Sequence, residues 1–403
     1  MVSRPAQSFN SFNVVISLMT SFVRTLALFL ALSALPAAAE RVMVGYFATF
    51  GNLAVEQIPW DGLTHLSHCY LSLDAGGKVL ATDAVPNGAL TAEGRKNGVP
   101  VLVVVGGGNS VAGLEKATAA ESSTKQLAAD IVKVVADGKY DGVDLNWEFP
   151  RDAATSEGHA RLLAELRRQL NAEAKRMQRK SPYLMTTSVS ASPDFGQWID
   201  AKRIVPLVDW LGVMAYDMAD PWSLHAAHHA PLFPSSLDPE REKRSVATAT
   251  RYWERQRGVP KDKLVVGVPF YGRSMPVAKP FEQLDPEQRR RHQVMAFSAV
   301  RKLVDEGWRA EWDNESRAPW LSSPEPPNEP NAESDAPLRT VDENVYDGPV
   351  LISYDDRNSV HGKAVWANEQ GYRGMYFWAI HQDRMPDGRH WLIDAANNAW
   401  PKE

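Results

Sequence analysis

The residues best placed to do chemistry lie in one run, Tyr140-Asp141-Gly142-Val143-Asp144-Leu145-Asn146-Trp147-Glu148-Phe149-Pro150. Side chains alternate across a β-strand. As a strand, this run puts Asp144, Asn146 and Glu148 on one face and Val143, Leu145 and Trp147 on the other. The apolar face can pack on covering helices. The polar face is expensive to bury without partners or a purpose. A buried structural network would use the same residues. Glu148, at the end of the strand, has a second use: a partly desolvated glutamic acid has a raised pKa and can protonate a leaving oxygen. Asp144, the deepest of the three, can only orient its neighbours. No second carboxylate reaches the mouth from this strand, so a nucleophile must come from elsewhere.

Something must hold that strand. Eight short apolar runs recur along the chain: Val42 to Thr49, Leu63 to Leu73, Val99 to Val105, Gly142 to Trp147, Leu184 to Ser190, Trp210 to Tyr216, Leu264 to Phe270 and Gly374 to Ile380. Most are near-continuously apolar, as strands covered on both faces are. Amphipathic stretches with helical spacing separate them, clearest over Thr124 to Ala136 and Ser156 to Gln178. Eight alternating units predict an α/β fold, a (β/α)8 TIM barrel, with chemistry at the C-terminal ends of the strands. A doubly wound sheet would want a dinucleotide fingerprint, and Gly106-Gly107-Gly108 lacks that spacing. A tight turn at a strand end accounts for these glycines.

The gap between runs seven and eight is too long for one helix. Residues 275–348 are expected to form a small α+β insertion. A helix is expected over Pro286 to Glu306, and its Arg289-Arg290-Arg291-His292 run reads as a solvated face. Ser322 to Pro337, rich in Pro, Glu, Asn and Ser, reads as a loop.

The 403 residues are 44% hydrophobic and 23% charged, which suits a soluble globular protein with a large core. The net charge of −5 argues against nucleic acid as a partner. Thirteen Trp residues fit core packing but also an aromatic-lined sugar cleft. The single cysteine, Cys69, lies in an apolar run and reads as a buried thiol. His225, His228 and His229 match no standard metal-ligand spacing, so a loop role is expected and no metal.

Residues 1–39 read as a secretory signal peptide. Arg24 precedes the apolar run Leu26 to Leu35, and Ala37-Ala38-Ala39 fits a cleavage site. Met19 offers an alternative start. The run is short for a membrane anchor. Residues 40–403 are then expected as an exported catalytic barrel, secreted or periplasmic, not membrane-bound and monomeric.

The run Asp141 to Glu148 resembles the D-G-x-D-x-D-x-E signature of glycoside hydrolase family 18, the chitinases and chitinase-like proteins. Further segments agree in order: Gly45-Tyr46-Phe47, Thr64-His65-Leu66, Met214-Ala215-Tyr216-Asp217, Gly267 to Arg273, Tyr354-Asp355-Asp356 with Ser359 and Lys363, and Gly374 to Trp378. The resemblance covers residues 41–400. It implies cleavage of β-1,4-linked N-acetylglucosamine polymers or oligomers by substrate-assisted retaining catalysis. In that reaction the substrate's own acetamido group replaces the missing nucleophile. It implies Glu148 as general acid and then base, Asn146 at the acetamido-steadying position, Asp144 as support, and Tyr216 and Asp217 as holders of the N-acetyl group. Trp378 would form the floor of the reacting subsite. Tyr46, Tyr70, Met214, Tyr271 and Arg273 would line the cleft. No cofactor or metal is implied.

Three positions depart from the family pattern. Asn146 stands where relatives carry the middle aspartate. Its carbonyl can accept the acetamido N–H, but it offers no charge to a cationic intermediate. A loss of about a hundredfold or more in rate is the expected scale. Gly108 stands where many relatives have Trp, and Val104 where a small or hydroxyl residue is common. Both point to a shorter or less adhesive cleft. The competing functions are a weak or silent chitin-binding lectin on the same fold, favoured by Asn146, and a related hydrolase of peptidoglycan or N-glycans.

Overall fold

The computed structural model describes residues 1–2, 40–324, 339–341, 344–346 and 348–400. The expected signal segment and most of the Ser322 to Pro337 stretch lie outside the described residues.

Eight parallel strands close into a barrel. They are β1 (Val42–Ala48), β2 (His65–Leu73), β3 (Val101–Gly106), β4 (Gly142–Asn146), β5 (Leu184–Ser190), β6 (Trp210–Met214), β7 (Leu264–Pro269) and β8 (Gly374–Trp378). Each pairs with its neighbour in sequence, and β1 pairs with both β2 and β8, which removes the sheet edges. The (β/α)8 barrel expected from the eight apolar runs is the fold.

Strand alternation sorts the core into two layers. Val103, Val105, Val143, Leu145, Trp147, Val213, Val266 and Phe377 face outward into the helical shell. Val44, Tyr46, Cys69, Val104, Val265 and Tyr376 fill the barrel interior. The long helices α1 (Glu121–Asp137) and α2 (Ala153–Arg176) bury apolar stripes on the outer layer. Asp152 starts α2 just past Glu148: its carboxylate accepts the Thr155 N–H at 2.8 Å, satisfying a free helix-end donor. That cap fixes where the chain leaves β4.

Between β7 and β8, five antiparallel strands form a second sheet in the order Gln293–Ala296, Tyr271–Met275, Leu351–Ser353, Ala318–Ser322, Arg309–Asp313. The sheet thus draws strands from just before 275 and just after 348. The single helix expected over Pro286 to Glu306 does not form. A short helix, Pro286–Arg290, ends before the strand Gln293–Ala296, and a second helix α3 (Phe297–Asp305) follows. Pairing with Tyr271–Met275 and burial of Met295 outweigh helical propensity there.

The last two helices are α4 (Arg357–Gln370) and α5 (Trp391–Ala399). Asp356 caps α4 through the Ser359 N–H at 2.8 Å. Lys363 is fully buried and its ammonium meets Asp355 at 2.5 Å. Ser359 adds a hydrogen bond to the same carboxylate at 2.6 Å.

Candidate active site

The C-terminal end of β4 delivers its polar face into the barrel. Asp144 sits deepest, 1% exposed. It accepts hydrogen bonds from Thr186 Oγ1 on β5 at 2.7 Å and from the Tyr46 hydroxyl on β1, which also lies 3.1 Å from Ser188 Oγ. Burial raises the Asp144 pKa, and those two donors oppose it. Asn146, one step higher, donates from Nδ2 to Glu148 Oε1 at 2.9 Å and approaches the Tyr70 hydroxyl at 3.5 Å. Its Oδ1 is buried and has no partner. A buried acceptor left open is costly unless a ligand supplies the donor.

Glu148 lies past the strand end, partly open to the cleft. Burial pushes its carboxyl up to about 7, the charge of Asp217 adds to the rise, and the Asn146 amide opposes it. A carboxyl so placed is half protonated near neutrality, which suits a group that gives and retakes a proton.

The turn after β3 is shaped around these residues. Gly106 has φ 115°, and a Cβ there would stand 2.2 Å from the Asn146 carbonyl oxygen. Gly107 has φ 82°, and a Cβ there would press on the Tyr70 ring at 3.1 Å. Backbone conformation and close approach both require glycine. Gly108 differs: a Cβ there meets open space. Val104 is fully buried beside Asp144 in register.

The opposite wall comes from the β6 loop and the inserted sheet. Asp217 has a left-handed backbone, φ 57°, which turns the chain just past β6. Tyr271 and Arg273, two apart on one strand, share a face and both reach it. The Tyr271 hydroxyl donates at 2.5 Å and Arg273 Nε at 2.7 Å, both to Oδ1. Burial opposes ionisation of Asp217, but contacts with His229 and Arg273 outweigh it and hold the carboxyl well below the usual range. The Tyr376 hydroxyl donates to Tyr216 at 3.1 Å, and the Tyr216 ring stands edge-on to Tyr271. Trp378, at the end of β8, packs 5.7 Å from Tyr46 and 5.8 Å from Tyr70 between ring centres. Met214 completes the partly buried apolar rim with Tyr70, Tyr216 and Trp378.

All eleven residues singled out in the sequence therefore occupy one end of the barrel. Three others, Thr186, Ser188 and Asp220, were not singled out, and His229 was expected only as a loop residue. Thr186 and Ser188 alternate on β5 and could have been found by the same period-two reading as β4. Asp220 and His229 carry no such signal, because the β6 loop has no period. His228 and His229 belong to a loop, as expected, but are buried against Trp320 and Asp217. Among the described residues no group of three or more His, Cys, Asp or Glu is arranged to hold a metal ion.

A probable endochitinase of Caenorhabditis elegans is 26% identical over 70% of this chain and 43% of its own length. An endochitinase of Manduca sexta is 25% identical over 91% of this chain and 68% of its own. The chain thus spans less than half of the first relative and about two thirds of the second. A class V chitinase of Nicotiana tobaccum, solved with NAG4, superposes with a TM-score of 0.74 at 24% identity, covering 90% of this chain and 99% of that one. The profile of glycosyl hydrolases family 18 matches residues 42–383, and the chain belongs to that family.

Proposed function

We propose that this chain cleaves β-1,4-linked N-acetylglucosamine polymers or oligomers with retention, the substrate's acetamido group acting as nucleophile. The observation that carries the reading is the assignment of the three carboxylates. Only Glu148 faces the cleft with a carboxyl able to carry a proton near neutrality. Asp144 is buried beneath, held by Tyr46 and Thr186. Asp217 is ionised but already occupied by Tyr271 and Arg273. Among these three no carboxylate is placed to attack the sugar, and an acetamido oxygen would supply what is missing.

In this reading Glu148 gives its proton to the glycosidic oxygen as the bond to C1 breaks. The acetamido carbonyl oxygen bonds to C1, and its N–H is accepted by the open Oδ1 of Asn146. Water then attacks C1, Glu148 takes back a proton, and the acetamido group is released with configuration retained. Trp378 and the surrounding tyrosines offer apolar faces to the ring. The names of the Caenorhabditis and Manduca relatives support a chitin-like substrate.

The test is release of product from a labelled chito-oligosaccharide. Glu148→Gln should lower the rate by about 10²–10⁴-fold, the range of general acid–base contributions. Equal rates for both proteins would refute the reading. Asn146 favours a second one, a weak or silent lectin, because an amide cannot balance a cationic intermediate. Binding without turnover would select it. Export is proposed from the N-terminal apolar run. Among the described residues no helix is long and apolar enough to cross a membrane.

A further inference from the structure

The loop after β6 brings a second carboxylate to Arg273. Asp220 lies three residues past Asp217 and is 4% exposed. Ser223 folds it back: its Oγ accepts the Asp220 N–H at 3.0 Å, and its own N–H donates to the Asp220 carbonyl at 2.7 Å. The Asp220 carboxylate accepts from Arg273 Nη1 at 2.6 Å, while Nε of the same guanidinium holds Asp217 at 2.7 Å. A guanidinium is planar and rigid, so anchoring two of its edges fixes its plane. Anchored at Nε alone, it could swing about its stem and carry the Asp217 contact with it. His229, 1% exposed, closes another side, with Nδ1 3.6 Å from Asp217 and its ring against Tyr271.

We propose that Asp220 is a positioning residue: by anchoring the far edge of the Arg273 guanidinium, it fixes the Asp217 carboxylate in the orientation that holds the acetamido group for attack. This rests on the substrate-assisted reading above. It differs from a plain structural ion pair in what it controls. A fixed Asp217 matters most when the acetamido oxygen closes on C1, so its loss should fall on turnover more than on ground-state binding. The role needs an acceptor oxygen at residue 220, not a full charge. Burial pushes the Asp220 carboxyl up to about 7, Arg273 opposing and Asp217 adding to the rise. An amide should therefore serve almost as well.

The test compares wild type, Asp220→Ala and Asp220→Asn on a 4-nitrophenyl chito-oligosaccharide, with melting temperatures for each. It also measures binding of a chito-oligosaccharide thiazoline, a stable mimic of the bicyclic intermediate, by tryptophan fluorescence. Asp220→Ala should lower kcat about tenfold with KM within about twofold, and weaken thiazoline binding by a similar factor. Asp220→Asn should keep about half of the wild-type kcat or more. If Asp220→Ala does not fold, Arg273→Lys replaces it, because a compact ammonium cannot bridge both carboxylates; the same kcat loss is expected. Unchanged kcat and thiazoline affinity, or a rise in KM alone, would overturn the proposal, as would an Asn variant as impaired as the Ala variant. A wild type no faster than Glu148→Gln would defeat the glycosidase reading, and the thiazoline measurement would still decide the role of Asp220.

Discussion

The end of β4 and the loop after β6 each bring a carboxylate to the same cleft, and the two are held in opposite states. Glu148 has an amide as its hydrogen-bonding neighbour, and burial keeps its proton on to about pH 7. Asp217 is also buried, yet contacts with His229 and the Arg273 guanidinium hold it ionised. Burial penalises charge in both places. What differs is the partner, and the partner decides which group can act as an acid and which can only orient.

The harshest way to break the contrast is to remove the cation. Arg273→Met leaves Asp217 and Asp220 buried without a counter-ion, a defect worth about 3–5 kcal/mol in comparable pairs. Turnover should fall by about a hundredfold or more, as Asp217 becomes protonated and loses its orientation. Chemical denaturation and kcat check the two effects, and a variant as stable and active as wild type would sink the account.

Asn146→Asp sharpens it instead. It removes the amide donor that lowers the Glu148 pKa and adds a like charge, so the acid form should persist to higher pH. Turnover should rise by about tenfold, with the alkaline limb of the rate profile displaced upward. A tenfold fall would mean that Asn146 is tuned for a different reaction.

The two carboxylates also oppose one another in stability. The Glu148 pKa is raised on folding, so its contribution is fully present below its unfolded value and is lost as pH rises toward 7. That of Asp217 is depressed, so its contribution is present at neutral pH and lost on acidification below the ordinary carboxylate range. Glu148→Gln should therefore melt higher than wild type at pH 8, with the gain shrinking toward pH 4. Asp217→Asn should melt lower than wild type at pH 7, with the deficit fading in acid. Melting curves across pH read both, and parallel curves would contradict the assignment.

The smallest effect should leave both walls alone. A Cβ at Gly108 meets open space, so Gly108→Trp can add an aromatic platform there. KM for long oligosaccharides should fall about threefold, for roughly 0.6 kcal/mol of stacking, with the pH profile unmoved. A displaced pH profile would show that Gly108 bears on the charge state of Glu148.

The β4 side of the contrast was legible in the sequence because its period is two. Alternation alone put Asp144, Asn146 and Glu148 on one face and ranked their depth. The other side was legible only through resemblance. Asp217 and Arg273 are 56 positions apart, and nothing in local spacing joins them. The helix expected over Pro286 to Glu306 failed for a related reason: local spacing could not show that Gln293–Ala296 would find a partner in Tyr271–Met275.

By itself, then, the sequence determined the barrel, through eight apolar runs of strand length, and the place of Glu148, the acid we propose, at the end of a polar strand face. Both follow from local periodicity, which the backbone enforces residue by residue. Only the tertiary structure decided that Asp217 is clamped, that Asp220 and His229 stand behind it, and that the inserted sheet supplies the clamp. Those contacts join segments with no shared period, and chain closure alone brings them together.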